Sequence, residues 1–427
     1  MKENFDGHKE QKELIRHYEK KIKNQEQAFF DLEDFEEIIN YYLDTNKLQK
    51  ALTACDHAIR QYPFSSEILL IKAQVLSNDG DFEQALEMLE QASAFQPGDY
   101  ELLSLKGSIL SMSGRIDEAV ETYKESLLYT DDESDVYYNI GLAFQGIDRY
   151  EDAINYYKLS IEADINNENA LYELAYCFDM TGKLADSVSY YQKFIDQDPY
   201  SQYAWYNLGI VYNKLRRYKK AIQAYEYAIL IDEEFSSAYF NMGNSLMNLG
   251  KYREALDCYT KTELYEGKSA ENYCCIGAAY EHLEQLEDAM KNYRKATKFD
   301  YLYHEAWFGI GSCLLKQDKA YEAINFFNKA LKLDRENALY WKKIADAEST
   351  VGNFMSAIDA YEEAANLDPE DYELWLDWST MFYDQGEFEK ALELIMKGIE
   401  EIPGEARLYY RATAFLIACK KYKEAIN

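Results

Sequence analysis

The residues best equipped for chemistry in this sequence are the adjacent thiols Cys274 and Cys275, with His282 a few residues beyond. Such a set could hold a metal ion. Neighbouring residues on a helix, however, point about 100° apart, which sets adjacent thiols badly for shared chelation. No CxxC pair accompanies them. The other histidines, His8, His17, His57 and His304, are scattered. The sequence has no glycine-rich phosphate loop, no HExxH motif and no serine nucleophile elbow. Its many carboxylates fall at helical surface spacing and are not paired for acid–base work. The sequence therefore predicts no catalytic residue, no metal and no cofactor: a protein that is not an enzyme.

Charge narrows the choice of partners. Asp and Glu number 77 against 45 Lys and Arg, a net charge of -32. Acidity on this scale opposes nucleic acid or an anionic membrane as the main partner. The excess is uneven: residues 361–405 hold 14 Asp or Glu and 2 Lys, while Lys214, Arg216, Arg217, Lys219 and Lys220 form a basic cluster. Seven cysteines without framework spacing predict free thiols in a reducing compartment. The N-terminus has no apolar leader, and no run approaches the roughly 18 apolar residues of a membrane span. These features predict a cytoplasmic protein with no membrane insertion.

The elements that would position any functional residue recur with one period. Gly209, Gly243, Gly277 and Gly311 are 34 residues apart, and Ala73, Gly107, Gly141 and Ala175 hold the same phase. Alanine recurs at Ala51, Ala85, Ala119, Ala153, Ala221, Ala255, Ala289, Ala323, Ala357, Ala391 and Ala425, with Ser187 in the one remaining place. The five prolines, Pro63, Pro97, Pro199, Pro369 and Pro403, are separated by multiples of the same 34. Apolar spacing within each period predicts two amphipathic helices joined by a turn. Gly80, Gly114, Gly182, Gly250, Gly352 and Gly386 suit a left-handed helix end at that turn. Small residues let two helix backbones approach closely.

Trp205, Leu208, Gly209, Tyr212, Ala221, Tyr225 and Ala228 resemble the tetratricopeptide repeat, as do Trp375, Phe382, Gly386, Ala391 and Pro403. The resemblance covers residues 32–427, with units starting at 32, 66, 100, 134, 168, 202, 236, 270, 304, 338, 372 and 406. That gives eleven complete units and a truncated twelfth. It implies an all-α, right-handed superhelical solenoid of antiparallel helix pairs. Residues 1–31 are charged and weakly amphipathic through Leu14, Ile15, Tyr18 and Ile22, a helix that caps the first unit or a tail.

The resemblance further implies that first helices line an inner, concave groove. Tyr138, Asn139, Tyr172, Tyr176, Tyr203, Tyr206, Asn207, Phe240, Asn241 and Asn244 would face it. Amides can bond a peptide backbone while rings cover its side chains. The basic set with which some family members grip chaperone C-termini is missing, because Phe240 stands where a lysine is needed. Asn139, Asn207 and Asn241 resemble part of the asparagine ladder of other members, which Glu173 and Cys275 interrupt. Lys342, Lys343, Arg407 and Arg411 would form a second, basic site for an acidic segment. The expected function is a protein-protein interaction scaffold or adaptor holding an extended segment of one or more partner proteins. Two alternatives stand beside it. One is the substrate-recruiting module of a larger enzyme continuing past Asn427. The other is a self-assembling, homo-oligomeric architectural protein, with the acidic 361–405 surface meeting the Lys214–Lys220 turn of another copy.

Overall fold

The structure is a computed structural model that describes residues 3–24, 29–422 and 425. The described residues are all-α: 24 α-helices and one short 3-10 turn, with no strand among them. After α1 (Glu3–Lys23), first helices begin at Leu32, Ser66, Tyr100, Glu133, Glu168, Gln202, Ser236, Ala270, His304, Ala338, Tyr372 and Ala406. A second helix follows each of the first eleven within a few residues. The partner helix of the last unit, expected near Ala425, falls largely outside the described residues. The chain divides into two compact units, residues 1–211 and 212–427.

The alanine series explains how the helices pack. Ala51, Ala85, Ala119 and Ala153 in the first unit, and Ala221, Ala255, Ala289, Ala323, Ala357 and Ala391 in the second, are fully buried. A second series packs against the glycines. A Cβ on Gly107 or Gly141 would fall 2.6 or 2.5 Å from the ring of Tyr123 or Tyr157. The same clash would occur between Gly243 and Tyr259, Gly277 and Tyr293, and Gly311 and Phe327. Each of these five first helices thus receives, on a bare stretch of backbone, an aromatic ring from the helix that follows.

Four indoles at one repeat phase tie their first helices to the loop before them. Trp205 donates from Nε1 to the Pro199 carbonyl at 3.0 Å. Trp307, Trp341 and Trp375 do the same to the carbonyls of Tyr301, Arg335 and Pro369. Tyr409 repeats the contact through its hydroxyl, onto the Pro403 carbonyl.

Every hairpin turn passes through the left-handed region. Gly80, Gly114, Gly182, Gly250, Gly352 and Gly386 take positive φ, and so do Asn46, Asp148, Arg216, Glu284, Asp318 and Lys420 at the same phase. At Glu284 the turn closes with Gln285 N donating to the Tyr280 carbonyl at 2.9 Å. A residue with a Cβ is strained there by about 1–2 kcal/mol. Glu284→Gly is therefore expected to raise stability by about 0.5–1 kcal/mol, the glycine's own chain entropy offsetting part of the relief. Denaturant titration of the two proteins measures it, and a destabilised variant would contradict the account.

Helix α1 packs on the first hairpin, α2 (Leu32–Asp44) and α3 (Leu48–Gln61). Its Ile15 and Tyr18 are buried in a cluster with Phe30, Phe35 and Ile39. The Tyr18 hydroxyl meets His57 Nδ1 at 2.8 Å, and Glu19 accepts from Lys50 Nζ at 2.6 Å.

Candidate functional site

In the first unit, the expected binding residues fall on three first helices. On α8 (Glu133–Gln145), Tyr138 and Asn139 are half-buried. The Tyr138 ring leans on Tyr157 at 5.8 Å, and Leu142, one turn further, is exposed. Burial, then the nearby Glu173 carboxylate, raises the Tyr138 pKa. On α10 (Glu168–Met180), Tyr172 is 57% exposed, Tyr176 41% and Met180 50%, a stripe one turn apart on one face. Tyr176 lies edge-on to Tyr150 at 6.2 Å. Glu173, which interrupts the asparagine ladder, accepts from Gln145 Nε2 at 2.7 Å.

On α12 (Gln202–Lys214), Tyr203 and Tyr206 are half-buried. Asn207 departs from expectation. It is 2% exposed and its Oδ1 is buried without a hydrogen-bond partner. One residue beyond Tyr206 on the helix, its side chain points into the packing and not out of it, so it presents no amide to a ligand.

In the second unit, α14 (Ser236–Asn248) carries the remaining expected groove residues. Phe240 is half-buried, its ring tilted on Tyr259 at 5.8 Å and packed on the core. Asn241 is half-buried, and its carbonyl accepts from Ser245. Asn244 Oδ1 accepts the Tyr259 hydroxyl at 2.8 Å, so its acceptor is already used by the fold.

That contact belongs to a series not read from the sequence. The ring that fills the bare helix carries a hydroxyl, and the hydroxyl reaches a polar group on the preceding first helix. Tyr157 donates to Gln145, Tyr259 to Asn244, Tyr293 to Glu281 at 2.8 Å and Tyr361 to Asp346 at 2.7 Å. Burial raises all four phenol pKa values, which keeps them donors. The signal was present in the 34-residue spacing of the tyrosines, but not the identity of their acceptors.

The second, basic site is corrected by the structure. Lys342, on α20 (Ala338–Thr350), is 3% exposed. Its Nζ lies 2.9 Å from Asp371, 3.3 Å from Glu373 and 3.9 Å from Asp377. Lys343 pairs with Asp346 at 2.8 Å. Arg407 lies over the Tyr372 ring at 4.3 Å and bonds its hydroxyl, while Arg411 is half-buried. Lys342 is neutralised by carboxylates at the start of the next first helix, and Lys343 by Asp346 on its own helix. An acidic segment would find no free lysine charge here.

Cys274 and Cys275 are only partly accessible; burial pushes both thiols up, Cys275 to about 12. His282 stacks on Tyr252 at 4.7 Å. Among the described residues, no group of three or more His, Cys, Asp or Glu side chains could hold a metal ion. Nor is any described helix long and apolar enough to cross a membrane.

Comparison with known proteins follows the same period. Models of the tetratricopeptide repeat match residues 76–139, 138–202, 203–235, 236–262, 270–301, 304–337 and 342–406. No curated protein matches the sequence at significance. Among solved structures, the chain is similar to one from the APC/C hetero-tetramer Cut9-Hcn1, at 16% identity, over 90% of this chain and 89% of that one, with TM-score 0.49. It is similar to PilF of Pseudomonas aeruginosa at 18% identity, over 51% and 96%, with TM-score 0.43. A third is YrrB, a repeat protein with an unusual peptide-binding site, at 21% identity, over 43% and 94%, with TM-score 0.35. Repeat matches over more than half of the sequence coincide with hairpins of one period, and the chain belongs to the tetratricopeptide-repeat family.

Proposed function

We propose that this chain captures an extended segment of a partner protein on the exposed face of its first helices, and does so without catalysis. Tetratricopeptide arrays are protein-interaction scaffolds, and the described side chains suit contact better than turnover: buried thiols, tyrosines held as donors and paired charges. In the first unit the contact is made by Tyr138 on α8 and Tyr172 and Tyr176 on α10, with Asn139 supplying an amide to the peptide backbone. The half-buried Tyr203 and Tyr206 extend the same register along α12. In the second unit, Phe240 and Asn241 are the candidate contacts on α14. Asn207 and Asn244 drop out, because one is buried and the other serves Tyr259.

The observation that carries this reading is the stripe of Tyr172, Tyr176 and Met180 on α10, with Leu142 exposed at the phase of Tyr176 on α8. Large apolar groups grouped in the open mark a recognition surface more often than a solvated one. Tyrosine also loses little rotamer freedom when it is covered.

Tyr172→Ala with Tyr176→Ala is the test. Both side chains are exposed, so the helical circular dichroism should be unchanged. Partners recovered by affinity purification and identified by mass spectrometry should fall by about tenfold or more, as for aromatic contact residues elsewhere. Recovery equal to that of the parent protein would eliminate this surface.

A further inference from the structure

The second helices in the middle of the second unit carry stripes of opposite charge at the same repeat positions. On α17 (Leu286–Phe299) the outward positions i, i+3, i+4 and i+7 are Lys291, Arg294, Lys295 and Lys298, all exposed. Two repeats later, on α21 (Phe354–Leu367), the same phase holds Asp359, Glu362, Glu363 and Asn366, again all exposed. Between them, α19 (Ala320–Leu333) presents Asn325, Asn328, Lys329 and Lys332.

Among the described residues, no salt bridge neutralises the α17 stripe. Elsewhere in this unit exposed lysines hold carboxylates: Lys251 on Glu254, Lys316 on Glu281, Lys390 on Glu387. Among the described residues the α17 stripe forms no such pair. Lys295 meets the Asn292 amide oxygen at 3.2 Å and the Tyr273 ring at 4.8 Å. Like charges three and four residues apart on one helix face oppose each other. So do the carboxylates of α21. Each stripe is mildly unfavourable alone and complementary to the other.

We infer that this face binds a second copy of the chain, through a two-fold axis that runs along α19. The axis lays α17 of one copy over α21 of the other, in the same direction and register. Lys291 then faces Asp359, Arg294 faces Glu362 and Lys295 faces Glu363 of the second copy, and the contact is repeated on the other side of the axis. At the axis itself, Asn325 and Asn328 meet their own counterparts and can exchange amide hydrogen bonds. Lys329, the nearest like charge, is drawn aside over the rings of Trp307 and Phe326, at 4.5 and 4.8 Å. Such an interface is isologous and closes at two copies. It uses the outward second helices, so it leaves the first-helix surface proposed above for partner capture in place and does not depend on it.

Salt sets the conditions for the test. The net charge of -32 repels two copies at long range. At about 0.1 M salt that repulsion is screened beyond about 10 Å, while the opposed stripes still attract. Light scattering at about 0.1 M salt should show a dimer mass that falls to the monomer near about 0.5 M. The triple variant Lys291→Glu, Arg294→Glu, Lys295→Glu should weaken self-association by about a hundredfold, and Asp359→Lys, Glu362→Lys, Glu363→Lys likewise. Mixed together, the two variants should form a heterodimer, because each then offers two stripes of one sign. All six positions are exposed, and circular dichroism verifies the fold. A wild-type monomer at every concentration, undiminished dimers in either variant, or no heterodimer in the mixture would each overturn the inference.

Discussion

Tyr293→Ala is expected to cost about 3–5 kcal/mol, as for other large buried aromatics truncated to alanine. The ring of Tyr293 lies on two bare backbones at once. A Cβ placed on Gly277, in α16 (Ala270–His282), or on Gly309, in α18 (His304–Lys316), would collide with it. Three successive helices therefore close around this one side chain, and the two glycines that face it have no side chain to fill the vacancy. Its hydroxyl also satisfies Glu281, which Lys316 holds from the other side at 2.8 Å. Tyr293→Phe keeps the ring and removes only that bond, so it should cost less, about 1–2 kcal/mol. Urea titration followed by far-ultraviolet circular dichroism separates the two. An alanine variant within about 1 kcal/mol of wild type would mean that the hairpins do not share this residue as their common wedge.

Lys342→Met should lower stability by about 2–3 kcal/mol while keeping most of the side-chain volume. The loss stays below that of a fully enclosed pair, since Asp371, Glu373 and Asp377 remain 29%, 62% and 47% exposed. Burial pulls the Lys342 pKa down, but Asp371, Asp377 and Glu373 outweigh it and hold it above the ordinary value of 10.5. The lysine is thus charged, and its contribution complete, at pH 7; it is lost only as pH rises through that raised value. Asp377 is pushed up, first by burial and then by Asp346, against the pull of Lys342 and Lys343. A raised carboxyl favours the folded state at low pH. Without Lys342 the carboxylate of Asp377 loses its counter-charge, so the defect should be greatest near pH 7 and shrink at lower pH as Asp377, already raised, takes up a proton. Trp375 and Trp378, on the same helix as Asp377, give the fluorescence signal for measuring it. A defect independent of pH would show that the lysine acts by packing alone.

Particular residues show how far the sequence could be read. Gly209 and Ala221, spaced by their period, mark hairpins because close backbone approach demands small side chains at fixed intervals. The turn glycines were legible for the same reason, but Arg216 and Glu284 were not. A left-handed residue with a Cβ is unfavourable in isolation and is held there only by the packing of the two helices it joins. Among the candidate site residues, Tyr172 and Tyr176 are exposed. Asn207 and Lys342 were assigned to an accessible surface on equal grounds and are buried. Phase gives the direction of a side chain from its own helix. It does not give the height of the neighbouring helix against that side.

The sequence by itself determined the period, the helix pairs, the all-α class and the charge of each segment, because these follow from residues near in the chain and from simple repetition. Which polar groups face a partner and which are consumed by the fold was decided only by tertiary structure. Tyr259 takes the acceptor of Asn244, and three carboxylates enclose Lys342, through contacts between helices that sequence spacing does not relate. Most buried polar groups find a partner, and that partner is fixed by how neighbouring hairpins lean together.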